Sequence, residues 1–108
     1  MTILRLLLLC YVTWALYLAV MALKRARDAG TLTTAATYLG YPMLLIGYAF
    51  DFAVNVLVCT PLLLELPRET TVTARLKRHK AAGGWRGRVA AWVGDHLLDP
   101  FDPDGRHI

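Results

Sequence analysis

The feature that most constrains the fold is a 26-residue stretch, Leu39 to Leu64, in which Asp51 is the only charged residue. As a helix this stretch is long enough to cross a bilayer, which takes about 20 apolar residues. A carboxylate at the centre of a membrane helix costs on the order of 2.5–3.5 kcal/mol on insertion scales. Any fold of this chain must therefore hide Asp51 while leaving its neighbours in an apolar medium.

A second apolar block, Ile3 to Leu23, has Arg5 as its only charge and runs uncharged for 18 residues from Leu6. Its apolar region is longer than that of a signal peptide, and no small-x-small cleavage pattern follows it, so we interpret it as an uncleaved span. The predicted fold class is an all-α membrane protein. Residues 1–66 form a two-span transmembrane helical hairpin, with spans at about 3–23 and 41–64, and a short amphipathic C-terminal helix follows.

Residues 67–108 are predicted to comprise a basic juxtamembrane segment, an amphipathic helix at about 85–98 and a mobile acidic end. Seven basic residues against one acidic give +6 over residues 68–88, and four acidic against one basic give −3 over residues 95–108. Apolar residues recur at three- and four-residue spacing from Trp85 to Leu97, which is typical of one helix face. Pro100 ends this pattern.

The distribution of Lys and Arg predicts the orientation of the hairpin in the membrane. The connection between the spans carries three basic residues, whereas the opposite ends carry six, namely Arg5 and five between residues 68 and 80. Because the side richer in Lys and Arg stays in the cytoplasm, both termini are predicted to be cytoplasmic.

Polar side chains at helical spacing predict an intramembrane polar stripe on the facing sides of the two spans. Its members are Thr13, Trp14, Tyr17, Tyr48, Asp51 and Asn55. The middles of antiparallel spans meet, so the hydroxyl and indole donors of the first span are expected to hydrogen-bond Asp51.

Two interpretations of the stripe remain open. It stabilises the pairing of helices, within one hairpin or between hairpins, or Asp51 lines a pore or relays a proton. A lone carboxylate makes a poor proton path, so helix pairing is favoured and Asp51 is expected to be a neutral, hydrogen-bonded acid.

A second set of residues is predicted to contact the membrane surface. It consists of Arg75, Lys77, Arg78, Lys80, Trp85, Arg86, Arg88 and Trp92. Each Lys or Arg near anionic head groups contributes about 1 kcal/mol, and Trp suits the head-group region. The alternative is a helix docked on a partner subunit. Nucleic acid is not expected as a partner, because the basic run has neither interleaved aromatic residues nor a folded scaffold.

Enzymatic and metal chemistry are not expected. The chain has no Ser, and both Cys10 and Cys59 lie in apolar spans, so no nucleophile–base arrangement can be assembled. The three His residues share no ligand spacing, and the aspartates near the end lack the closing Glu of a calcium loop. No cofactor is predicted.

The segments LKRARDAGTLT, TARLKRH and HLLDPFDPDG resemble those of small inner-membrane proteins encoded in prophages of proteobacteria, and the likeness extends over nearly the whole chain. The resemblance implies an inner-membrane location and a phage origin, and it implies no activity or functional residue.

The favoured hypothesis for the function is a phage-derived inner-membrane protein that acts by helix–helix and membrane-surface contacts. It would bind a membrane-protein partner or further copies of itself, for example in superinfection exclusion or another modification of the host membrane. The alternatives are a holin-like pore-forming lysis protein, which is also small and hairpin-like with a basic tail, and a transporter accessory subunit.

Overall fold

The computed structural model describes residues 2–108, and every regular element in that range is helical, as the predicted all-α class requires. The two long helices are apolar enough to cross a membrane by length and composition. The elements are α1 (Ile3–Asp28), α2 (Thr34–Leu63), α3 (Val72–Ala82) and α4 (Gly84–Val93), which a π turn (Gly94–Leu98) and a 3-10 turn (Asp99–Phe101) continue.

Threonine side chains define where the helices begin. The side chains of Thr2, Thr33 and Thr71 each accept a hydrogen bond from the main-chain N–H three residues later, at the starts of α1, α2 and α3. Such caps satisfy N–H groups that have no partner inside the helix. The helix that contains the second span therefore begins at Thr34, well before residue 41.

The second long helix is not regular throughout. A π turn at Asn55–Cys59 interrupts α2 before Pro61, which has no N–H to donate. The helix ends where Leu64 adopts a left-handed conformation with φ of 53°. Single π turns inside α-helices occur frequently at functional sites.

The two long helices form the predicted antiparallel hairpin. A Cβ added at Gly40 would lie 3.0 Å from Leu23 Cδ1, so the helices approach closely near the connection. At the other end, a small core of Val54, Cys59 and Leu63 packs against α1 and the tail.

The tail, residues 67–108, folds back along the whole length of the hairpin. Arg86 Nε donates to Leu63 O at 2.7 Å at one end, and Lys24 Nζ lies 3.1 Å from Asp102 Oδ1 at the other. The pair Gly83–Gly84, both with positive φ, makes the tight connection between α3 and α4. A Cβ at Gly87 would lie 2.7 Å from His79 O, so the two helices are in close main-chain contact.

The acidic end, which the sequence predicts to be mobile, is hydrogen-bonded and packed against the rest of the tail in the structure. Asp99 Oδ1 accepts hydrogen bonds from the main-chain N–H groups of His107 (2.7 Å) and Ile108 (3.2 Å). The Ile108 side chain is 5% exposed and packs against Leu76 and Ala90. Asp side chains that accept from nearby N–H groups stabilise turns, so Asp99 holds the last two residues beside the 3-10 turn.

Candidate functional site

The polar stripe faces the tail. Asp51 Oδ1 accepts from Val72 N at 2.7 Å, Trp14 Nε1 donates to Leu97 O at 2.8 Å, and Tyr17 donates to the carbonyl of Leu98 at 2.5 Å. On the α2 side, the Tyr48 hydroxyl lies 2.9 Å from Thr70 Oγ1. We call this contact, formed by Trp14, Tyr17, Tyr48, Asp51 and Asn55, the polar seam.

The expected hydrogen bonds from α1 to Asp51 are therefore not formed among residues 2–108. Thr13, one of the expected donors, bonds Leu9 O within its own helix at 2.7 Å. The physical reason is that the tail lies against both helices and presents main-chain groups, which are obligatory donors and acceptors. The polar side chains pair the hairpin with the tail rather than α1 with α2.

Asn55 is the most enclosed member of the seam, with 0% exposure. Its Nδ2 donates to Glu69 O at 2.5 Å, while its main-chain O and Oδ1 accept from Arg75 Nη1 at 2.7 and 3.2 Å. It thus joins the π turn of α2 to the segment that leads into α3.

Arg75 cannot contact head groups, contrary to the prediction, because it is 0% exposed. Besides Asn55 it donates to Thr60 Oγ1 at 3.3 Å, to Glu65 Oε1 at 3.3 Å and to Glu65 O at 2.7 Å. A planar guanidinium with five donors suits the carbonyl oxygens gathered at the irregular end of α2.

Arg75 belongs to a charge cluster that consists of Glu65, Glu69, Arg75, Arg78 and His79. Arg78 binds Glu65 at 2.6 Å and Glu69 at 2.7 Å, and His79 Nε2 lies 2.6 Å from Glu65 Oε1. Hydrogen bonds from Arg78, then from His79, outweigh burial and lower the pKa of Glu65 to about 2. The cluster fastens the end of α2 to α3.

A second polar group, the tail clasp, holds the end of the tail and consists of Lys24, Thr73, Asp102, Asp104 and His107. Lys24 binds both aspartates, and His107 bridges Asp102 Oδ2 (2.8 Å) and Thr73 Oγ1 (2.9 Å). Burial raises the pKa of Asp102, but hydrogen bonds from the Asp104 N–H, His107 and Lys24 outweigh it and bring the pKa to about 2.

A cavity of about 450 Å³ lies beside the polar seam, between the hairpin and the tail. Most of its wall is aliphatic or aromatic, and Asp51 reaches it from α2. Asp51 Oδ2 accepts no hydrogen bond from residues 2–108, and no enclosed side-chain N or O atom there lacks a partner, so Oδ2 is not fully enclosed.

The remaining residues of the predicted membrane-surface set divide into two groups. Lys80 donates to Ile108 O, and Arg86 is bonded to the end of α2, so both are engaged within the chain. The exposed members are Lys77, Trp85, Arg88 and Trp92.

The hairpin also presents apolar surface away from the tail. Exposed apolar residues recur at three- and four-residue spacing, so each long helix has an outer apolar face. The residues are Leu4, Leu8, Tyr11 and Ala15 on α1 and Tyr38, Leu45, Ala49 and Phe52 on α2.

The residues of the polar seam were all named from the sequence, but their hydrogen-bond partners were not. Val72, Leu97 and Leu98 act through main-chain atoms, which carry no sequence signal. Glu65 and Glu69 precede the basic run in the sequence, and they could have indicated that Arg75 and Arg78 form ion pairs within the chain.

Among residues 2–108, no three His, Cys, Asp or Glu side chains are arranged to hold a metal ion. Comparison of the chain with protein-family models, curated proteins and solved structures finds no match.

Proposed function

We propose that the protein is an integral protein of a bacterial inner membrane that acts by contact, binding another membrane protein or a second copy through the outer apolar faces of α1 and α2. The observation that carries this is the combination of an internally bonded polar seam with apolar outer faces. Polar groups that already have partners leave these faces free for lipid and for helix packing.

Burial supports a membrane setting for the two long helices. Only 6% of the most apolar window of α1 and 17% of that of α2 is buried within the chain. A core helix of a soluble domain would be mostly buried, and soluble proteins rarely leave apolar patches of more than a few hundred Å² in water.

The seam also favours contact over a pore. A pore-lining role needs Asp51 and Asn55 to face a lumen, whereas Asn55 is fully enclosed and Asp51 accepts from the tail. The more specific proposal of superinfection exclusion, or of another change to the host membrane, rests on the resemblance to prophage-encoded proteins.

The contact proposal is tested by site-specific photo-crosslinking in bacterial membranes. A photoreactive residue at Leu8 or Leu45, on the outer faces, should give a discrete cross-linked protein, whereas one at the exposed tail residue Lys77 should not. Adducts with lipid alone at both outer positions would contradict the proposal.

A second experiment separates contact from pore formation. On induction in a bacterium, the membrane potential should stay normal and phage plating should fall. An abrupt collapse of the potential that Asp51→Leu suppresses would replace the proposal with a pore.

A further inference from the structure

The cavity beside the polar seam has the dimensions and composition of a small-molecule site. Its volume of about 450 Å³ falls within the range of roughly 300–1,000 Å³ that ligand pockets occupy. The walls come from both hairpin helices, from the start of α3 and from the end of α4. A ligand there would touch every part of the fold.

The polar groups in the cavity wall differ in whether they already have a hydrogen-bond partner within the chain. Tyr17, Tyr48 and His107 all line it, but each is bonded elsewhere, to Leu98 O, Thr70 and Asp102 respectively. Asp51 Oδ2 is the carboxylate oxygen in the wall that has no donor among residues 2–108. The cavity therefore offers an acceptor to an incoming group.

Charge defines the ligand further. Among the described residues no Lys, Arg or His forms a salt bridge with Asp51, and the nearby His107, which also lines the cavity, is paired with Asp102. Leu44, Val54 and Val93 in the same wall are apolar. An ionised Asp51, unlike the neutral acid expected from the sequence, is best balanced in such a setting by a cation that also donates a hydrogen bond. An anion would meet Asp51 without compensation.

We propose that this cavity binds a lipophilic amine, with the protonated amino group on Asp51 Oδ2 and the apolar body between α1 and α2. Whether the body is a flexible alkyl chain or a compact ring system, the recognised chemistry is the same.

The test uses the full chain in phosphatidylcholine nanodiscs, with Trp14 in the cavity wall as a fluorescent reporter. Replacing the exposed Trp85 and Trp92 by Phe leaves Trp14 as the single Trp. Three probes have alkyl chains of the same length and differ in the head group: n-decylamine, n-decanol and decanoate. A fourth probe, 1-adamantylamine, is an amine with a compact ring body. We expect a saturable change in Trp14 emission with the amines, and no saturable change with decanol or decanoate.

Two variants locate the site. Asp51→Asn keeps an oxygen for Val72 N but loses the charge, and it should weaken amine binding at least tenfold. Gly47→Leu adds a side chain to the cavity wall while leaving Asp51 in place, since the nearest atom to an added Cβ is 3.9 Å away, and it should abolish saturation. An equal response in wild type and Asp51→Asn, unaltered binding in Gly47→Leu, or decanol binding as well as decylamine would each overturn the proposal.

The outcome is independent of the contact function. If Asp51→Asn does not fold, Gly47→Leu and the comparison of decylamine with decanol and decanoate decide whether the cavity binds an amine. Loss of amine binding leaves the cross-linking at Leu8 and Leu45 unaffected, so failure of either proposal is recognised separately.

Discussion

At the scale of single residues, Arg75 connects segments that lie far apart in the sequence. Its guanidinium joins the π turn at Asn55, the hydroxyl of Thr60 and the carboxylate and carbonyl of Glu65. A buried charge is tolerated only when it is paired and its hydrogen bonds are made. Arg75 meets both conditions, and the groups around it depend on it in turn.

Replacing Arg75 by Met should destabilise the docked tail by about 3–5 kcal/mol, because it leaves the enclosed Asn55 Oδ1 and the main-chain O of Glu65 without their donor. Lys77→Met, at an exposed position of the same helix, is the matched control and should change stability by no more than about 0.5 kcal/mol. Thermal unfolding in detergent, followed by Trp fluorescence, measures both. Equal midpoints for the two variants would contradict the role given to Arg75.

Acid should loosen the tail. The pKa values of Glu65 and Asp102 are about 2 in the folded chain, below the ordinary values of 4.5 and 3.8. Because the folded values are lower, these carboxylates stabilise the fold above about pH 4.5, and this contribution is lost as pH falls towards 2. The unfolding midpoint should be flat near neutral pH and drop below pH 4.5. Glu65→Gln should lower the midpoint at neutral pH and flatten the drop; an unchanged profile in this variant would count against the ion pairs.

At the scale of elements, local irregularities determine how the tail docks. The π turn and the left-handed Leu64 end α2 with carbonyl groups turned towards the charge cluster, and the Gly83–Gly84 connection folds α4 back on α3. The two apolar helices and the tail helix were predictable from apolar spacing, since that pattern is local. Aspartate capping in the last ten residues was not, because its partners are main-chain N–H groups, which are the same in every residue.

Close packing of α3 on α4 gives a test at this scale. Gly87→Ala would put a Cβ 2.7 Å from the main-chain oxygen of His79, and overpacking of this kind typically costs about 1–3 kcal/mol. The matched control, Gly47→Ala, meets nothing closer than 3.9 Å and gains up to about 1 kcal/mol of helix propensity. Limited proteolysis should cut the tail faster in Gly87→Ala and no faster in Gly47→Ala. Similar cleavage rates in the two variants would show that the helices are not in close contact.

At the scale of the whole molecule, the outer side of the hairpin and the side covered by the tail differ in polarity. The outer faces are apolar, whereas the exposed side of the docked tail carries Arg88, Asp95 and His96 beside the exposed Trp85 and Trp92. A charged side chain in hydrocarbon costs on the order of 2.5–3.5 kcal/mol on insertion scales. We therefore infer that the tail side meets water or a polar partner surface, and that lipid contacts only the outer faces.

Docking of the tail has a consequence for membrane topology. Because the tail clasp holds Asp104 beside Lys24, the tail end lies at the same end of the hairpin as the α1–α2 connection. In a background without Cys10 and Cys59, cysteines at Thr31 and Asp104 should report the same side of the membrane to an impermeant maleimide. A cysteine at Arg68, beyond the other end of α2, completes the set.

The set gives distinct outcomes. If the cysteines at Asp104 and Arg68 are labelled on one side of the membrane and the cysteine at Thr31 on the other, the tail has left the hairpin in the membrane. Both ends of the chain then lie on one side, as the predicted cytoplasmic placement of both termini requires. If all three report one side, the hairpin does not cross the bilayer, and the integral-membrane proposal fails while the docked tail stands.

The sequence by itself determined the helical class, the two apolar helices and the need to shield Asp51 and Asn55, because hydropathy and helical spacing are local properties of the chain. Only the tertiary structure decided what shields them. The main chain near Val72 and Leu97 and the side chain of Arg75 meet the stripe across long sequence separations. Main-chain donors and acceptors are the same in every residue, so no pattern of side chains could identify them in advance.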